Sequence, residues 1–114
     1  MELLGVNVKG VEIKINEPLD NLLITLGKWG LKDAGVEIKS KDNMIKELII
    51  YNKEDIQLIF SDNNVISVHD ILNIDTDLLY KRVTNCVLKI QSRWYIVSAL
   101  LKMDKYLKVV ITNR

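Results

Sequence analysis

Few side chains in this sequence can carry acid–base, nucleophilic or metal chemistry. His69 is the single histidine and Cys86 the single cysteine among 114 residues. A His-Asp pair such as His69-Asp70 can ligate a metal in a hydrolase, but that shell needs further histidines and the chain offers none. A Cys86 nucleophile with a His69 base is the other formal option. Cys86, however, alternates with Leu88 and Ile90, the setting of a buried, inert thiol. His69 is expected to face solvent on a strand. Asp75-Thr76-Asp77 places two hard oxygen ligands one residue apart, a spacing that suits Mg²⁺ or Mn²⁺. No phosphate-cradling glycine loop accompanies it, and such triplets are ordinary turn chemistry. Asn52–Asp55 and Ser61–Asn64 lack calcium-loop spacing, and Gly27, Gly30 and Gly35 do not follow a strand as a dinucleotide fingerprint requires. The expectation is therefore no catalytic residue, no metal ligand and no cofactor.

The last third carries a different signal. Residues 1–78 hold 8 Lys and no Arg against 14 Asp and Glu, a balance of −6; residues 79–114 hold 8 Lys and Arg against Asp104 alone, a balance of +7. Such asymmetry points to an anionic partner or to head-to-tail self-association, unless the halves interleave in the fold. Lys81, Arg82, Lys89, Arg93, Lys102, Lys105, Lys108 and Arg114 stand among Tyr80, Trp94, Tyr95 and Tyr106. On one exposed face they would make a cationic surface with stacking aromatics, the means by which single-stranded nucleic acid is held. Against this, only three arginines occur, and a sequence pI near 7.8 is low for a dedicated binder. Trp94, Tyr95, Arg93 and Trp29 are also the residue types that dominate protein interfaces.

Behind these residues stands an ordinary globular composition: 48% hydrophobic and 27% charged. That is enough apolar surface to offset chain entropy, and the length fits a single domain over 1–114. No 18-residue apolar stretch predicts a membrane span, and the first residues lack the basic start and apolar run of a secretory signal. A single cysteine fits a reducing compartment and a cytoplasmic location, or a virion component. Ala occurs twice, and Lys outnumbers Arg 13 to 3. This bias is typical of AT-rich coding sequence, as in a low-GC bacterium or a phage within one.

The elements that must position these residues are mostly strands. Val, Ile and Thr make up 30 of the 114 residues, which favours extended chain. Val6 and Val8 alternate with polar residues, as do Val11, Ile13 and Ile15, with a slip at Gly10 that marks a hairpin turn or a bulge. Asn16 and Pro18 open a helix, and Leu19, Leu22, Leu23, Leu26 and Trp29 give it one apolar stripe over about residues 17–33, with Gly35 as its stop. Further strands are expected at Val36–Lys39, Ile45–Tyr51 (buried on both faces), Ile56–Phe60 and Val65–Leu72. Three more runs follow, from Cys86 to Ile90, from Arg93 to Leu101 and from Tyr106 to Thr112. Turns at Gln91-Ser92 and Met103–Lys105 are expected to separate them. The fold class is α+β, mainly β: an antiparallel meander, small sandwich or partly open barrel with one helix.

The function expected on these grounds is a non-enzymatic interaction or assembly module: a structural component (phage or prophage included), an inhibitor or an accessory subunit. Its partner would be a protein or a second copy, without membrane association. The alternative is nucleic-acid binding through residues 80–114.

Overall fold

A computed structural model describes residues 1–19, 27–52, 54–73 and 83–112, the side chains of 27–29 excepted. Two four-stranded antiparallel sheets make up most of it. The first runs β2 (Val11–Lys14), β1 (Leu3–Val8), β5 (Ile56–Phe60), β6 (Val65–Ser67); the second runs β3 (Val36–Lys41), β4 (Met44–Ile50), β8 (Leu100–Ile111), β7 (Cys86–Val97). The sheets are not closed into a barrel. Two short helices are described: α1 (Gly27–Asp33) beside β3, and α2 (Val68–Asn73), which packs against β5 and β6 of the first sheet and β8 of the second.

Period-two alternation decides what each strand buries. Leu3, Val6 and Val8 of β1, Ile56, Leu58 and Phe60 of β5, Leu48 and Ile50 of β4, and Leu107 and Val109 of β8 are essentially sealed from water. Together with Val68, Ile71 and Leu72 of α2 they form one apolar cluster shared by both sheets. Each such side chain contributes roughly 1.5–3 kcal/mol relative to exposure. In β4, Ile49 is buried as well as its neighbours, so this strand is covered on both faces as its apolar run implied.

Three hairpins turn on two residues with positive φ at both positions: Lys9-Gly10 (50° and 88°), Asp42-Asn43 (53° and 64°) and Ser98-Ala99 (50° and 65°). This is the turn whose twist matches the flanking strands. The slip at Gly10 is thus a turn, and Asn7 Oδ1 accepts the Gly10 N–H at 2.8 Å to support it. The bulge in β1 lies between Leu3 and Gly5 instead. A Cβ on Gly5 would stand 2.5 Å from the Ile13 carbonyl oxygen, so only glycine lets β2 lie alongside there.

Two expectations are corrected. Val65–Leu72 is not one strand: pairing with β5 ends at Ser67, and the chain turns into α2. Val68, Ile71 and Leu72 then bury together as one helical face, a spacing of three and four that the short run masked. His69 is therefore an exposed helix residue, not a strand residue. The second correction concerns residues 86–112, where three runs are only two strands. Gln91-Ser92 and Met103–Lys105 are paired mid-strand, and the chain reverses at Ser98-Ala99. Of the helix expected over 17–33, Leu19 and Gly27–Asp33 are helical and residues 20–26 lie outside the description. Gly35 follows its end with φ of 79°, as a C-terminal stop requires.

The acidic and basic parts of the sequence interleave in the second sheet. β4 belongs to the acidic part and lies beside β8 of the basic part. Glu47 Oε1, shielded from solvent, stands 3.4 Å from Lys108 Nζ and 3.7 Å from Lys39 Nζ, held by charge without a hydrogen bond.

Candidate functional site: an apolar β-arm

β7 and β8 pair without interruption from Cys86↔Ile111 to Val97↔Leu100. β4 accompanies β8 only along Leu107–Val110. From Gln91 and Tyr106 outward the two strands continue without β4 as a two-stranded ribbon. Its seven residues per strand reach about 23 Å. Every residue from Ser92 to Met103 is exposed.

Register assigns the two faces of this arm. Cys86, Leu88 and Ile90 pair with Ile111, Val109 and Leu107, and this face lies on the core. The same parity continues outward through Ser92↔Lys105, Trp94↔Met103 and Ile96↔Leu101. There the face meets water: Trp94 is 62% exposed, Met103 54%, Ile96 73% and Leu101 62%. The core face thus extends beyond the layer that covers it. Val97 and Leu100 on the other face at the tip are exposed too, as is Tyr95. At about 200 Å² for a fully exposed large side chain, the four on the core-parity face present roughly 500 Å² together. That is the size of the largest apolar patch on an ordinary monomer, about 300–600 Å², a patch that is often functional.

The opposite face is polar and cationic. Lys89 and Lys108 are cross-strand neighbours, as are Arg93 and Asp104, and Tyr95 and Lys102. The Arg93 guanidinium sits 4.1 Å over the Tyr51 ring, and Tyr51 meets Tyr106 at 5.2 Å between centroids. The Tyr106 hydroxyl donates to Gln91 Oε1 at 2.8 Å. Arg93 and these rings anchor the base of the arm to the end of β4.

Of the residues singled out from sequence, Trp94, Tyr95 and Arg93 therefore lie on one element, with Trp94 on the apolar face and the other two on the cationic one. Trp29 is in α1, its side chain outside the description. Lys89, Arg93, Lys102 and Lys108 share a face and Lys105 lies on the other. Lys81, Arg82 and Tyr80 fall outside the described residues, as do Asp75-Thr76-Asp77 and Arg114. Sequence inspection missed Ile96, Leu101 and Met103. Their signal is the parity running from Cys86 through Ile96, visible only when Gln91-Ser92 is read as strand.

The remaining chemical candidates are kept apart by the fold. Cys86 is 3% exposed in the core, and burial pushes its thiol pKa up to about 11, away from the nucleophilic thiolate. His69, on the exposed surface of α2, lies 3.6 Å from Asp70 and within 3.4 Å of the Asn73 amide. Among the described residues no three His, Cys, Asp or Glu side chains gather to hold a metal ion. No helix among them is long and apolar enough to cross a membrane. No protein-family model matches the chain, and neither a curated protein nor a solved structure matches it.

Proposed function

We propose that this protein is a non-enzymatic interaction or assembly module that docks through the β7–β8 arm. The observation that carries this reading is the continuity of the core face into solvent beyond the end of β4. Apolar side chains held in register on a paired ribbon contribute nothing to the monomer's core and gain free energy when a partner covers them. Trp94 at the centre of that face, ringed by Ile96, Leu101 and Met103, has the make-up of an interface hot spot.

Replacing Trp94, Ile96, Leu101 and Met103 by threonine tests this. Threonine keeps the strand propensity and removes the apolar face. An interaction surface gives a chain with unchanged thermal midpoint that no longer takes up an apolar dye or associates. A fall in midpoint as large as that of a core substitution assigns the arm to the fold instead.

One observation favours a second reading, nucleic-acid binding: Lys89, Lys108, Arg93 and Lys102 share the other face with Tyr95 and Tyr106. It is the weaker of the two, because Glu47 draws Lys108, Asp104 neighbours Arg93, and Tyr51 and Tyr106 already pack against each other, their rings tilted by 43°. An oligonucleotide whose mobility is unchanged by the protein at low salt removes it.

A further inference from the structure

We infer that the occupant of the apolar face of the arm is the same face of a second copy of this chain, the two ribbons packed antiparallel about a two-fold axis. The inference rests on the arm being the docking element, as proposed above.

Area supports it first. The four apolar side chains of this face present roughly 500 Å² per copy, so pairing two copies buries about 1,000 Å² in total, the size at which a specific but weak and reversible interface begins. The sequence of layers along the face supports it second. From base to tip these are Ser92 with Lys105, Trp94 with Met103, Ile96 with Leu101, then the Ser98-Ala99 turn. Reversing a second arm over the first places Trp94 and Met103 of one against Ile96 and Leu101 of the other. Large aromatic meets aliphatic, twice, by symmetry. The same overlay sets Lys105, the one charged group on this face, against the polar backbone of the opposing turn, so no like charges meet. An isologous contact needs that self-complementarity.

The geometry of the ribbon also decides against a lipid occupant. Among the described residues no strand pairs with the outer side of β8 between Leu100 and Tyr106, and β7 is the edge of its sheet. Sunk into hydrocarbon, both edges would lose water from backbone N–H and C=O groups that no neighbouring strand pairs. Stacked on another ribbon at the usual separation of about 10 Å, the edges stay wet and only the apolar faces dry.

Sedimentation equilibrium over a wide concentration range, with Trp94 emission followed in a Trp29→Phe chain, tests the proposal. The expected result is a reversible dimer whose formation shifts Trp94 emission to the blue. Leu101→Lys and Met103→Glu, both at exposed positions of the monomer, should each weaken it by roughly 30-fold or more. Mixed, the two chains should recover a dimer tighter than either alone, because the antiparallel register brings that lysine to that glutamate. A wild-type monomer whose Trp94 stays exposed overturns self-pairing and leaves the arm open to a different protein. A monomer whose Trp94 shifts only with lipid vesicles overturns it in favour of a membrane surface. A dimer indifferent to both substitutions overturns the inference and the docking role of the arm together.

Discussion

The side chain of Asn85 pairs with the backbone of Leu3 as a strand would. The Leu3 N–H donates to Asn85 Oδ1 at 2.8 Å, and Asn85 Nδ2 donates to the Leu3 carbonyl at 2.8 Å. Leu3 begins the first sheet and Asn85 immediately precedes β7 of the second, so these two bonds tie one sheet to the other. Thr84 adds its N–H to the Met1 carbonyl, and Thr112 donates to the Asn85 carbonyl. Among the described residues Asn85 is the one buried polar side chain. Asn85→Ala leaves a buried donor and acceptor on Leu3 unpaired, at about 1–3 kcal/mol each. A denaturant titration should show a loss of roughly 2–4 kcal/mol. A loss below about 1 kcal/mol would mean that water replaces the amide without penalty.

Gly35 meets two constraints at once. Its φ is 79°, and a Cβ there would lie 2.7 Å from Asn52 Cβ and 3.0 Å from the Asn52 nitrogen. Its carbonyl also accepts the Tyr51 N–H at 2.8 Å, which fixes the distance between the end of α1 and the end of β4. Gly10, with φ of 88°, has nothing within 4 Å of the equivalent position. Gly10→Ala should therefore cost about 1 kcal/mol of backbone strain alone, and Gly35→Ala roughly twice that or more. Equal costs in parallel urea titrations would show that Asn52 gives way freely.

Why some of this was legible in the sequence and some was not follows from these local rules. Alternation marked Val6, Val8, Ile13, Ile56, Leu58, Phe60, Leu107 and Val109 correctly, because a half-buried strand imposes period two on its own residues. The turn at Asp42-Asn43 suits its residues, because asparagine and aspartate tolerate positive φ. The Ser98-Ala99 turn was not legible, since neither residue favours that conformation, and polar Gln91-Ser92 offered a false alternative. Pairing between strands overrode local propensity there. The arm was legible only in its residue types: Trp94, Tyr95 and Arg93 stood out, but that Trp94 and Arg93 lie on opposite faces depends on one register. α2 was hidden because Val68, Ile71 and Leu72 span too few residues to separate a helical face from a strand.

Burial raises the Cys86 thiol from 9.0 to about 11, and the direction of the pH effect follows. The folded chain holds this proton more tightly than the unfolded chain. Its contribution to stability is thus complete below pH 9 and is lost as pH rises toward 11. Cys86→Ala should have a flatter stability profile than wild type between those limits, and the difference isolates the thiol's contribution. At neutral pH a thiol reagent should modify Cys86 at the rate of unfolding. Fast labelling of the native protein would place the thiol in contact with water.

The Ser98-Ala99 turn offers the most direct handle on the arm. Both residues are held at positive φ, and neither is the asparagine or glycine that this turn prefers. Ser98→Asn with Ala99→Gly removes strain of about 1–2 kcal/mol from the tip of the ribbon. The tip shares no core with the sheets, so the gain should be local. Arm amides should exchange with deuterium roughly tenfold more slowly, while the thermal midpoint of the whole chain stays within a degree or two. Ala99→Val, with a branched side chain at the same positive φ, should do the reverse and loosen the arm. Stiffening also bears on docking: a ribbon already in its bound shape loses less entropy when covered, so association should tighten although no contact is added. If the stiffened arm instead associates more weakly, the bound ribbon must differ from this one in twist or register, and the pairing of Trp94 and Met103 with Ile96 and Leu101 across copies would have to be redrawn.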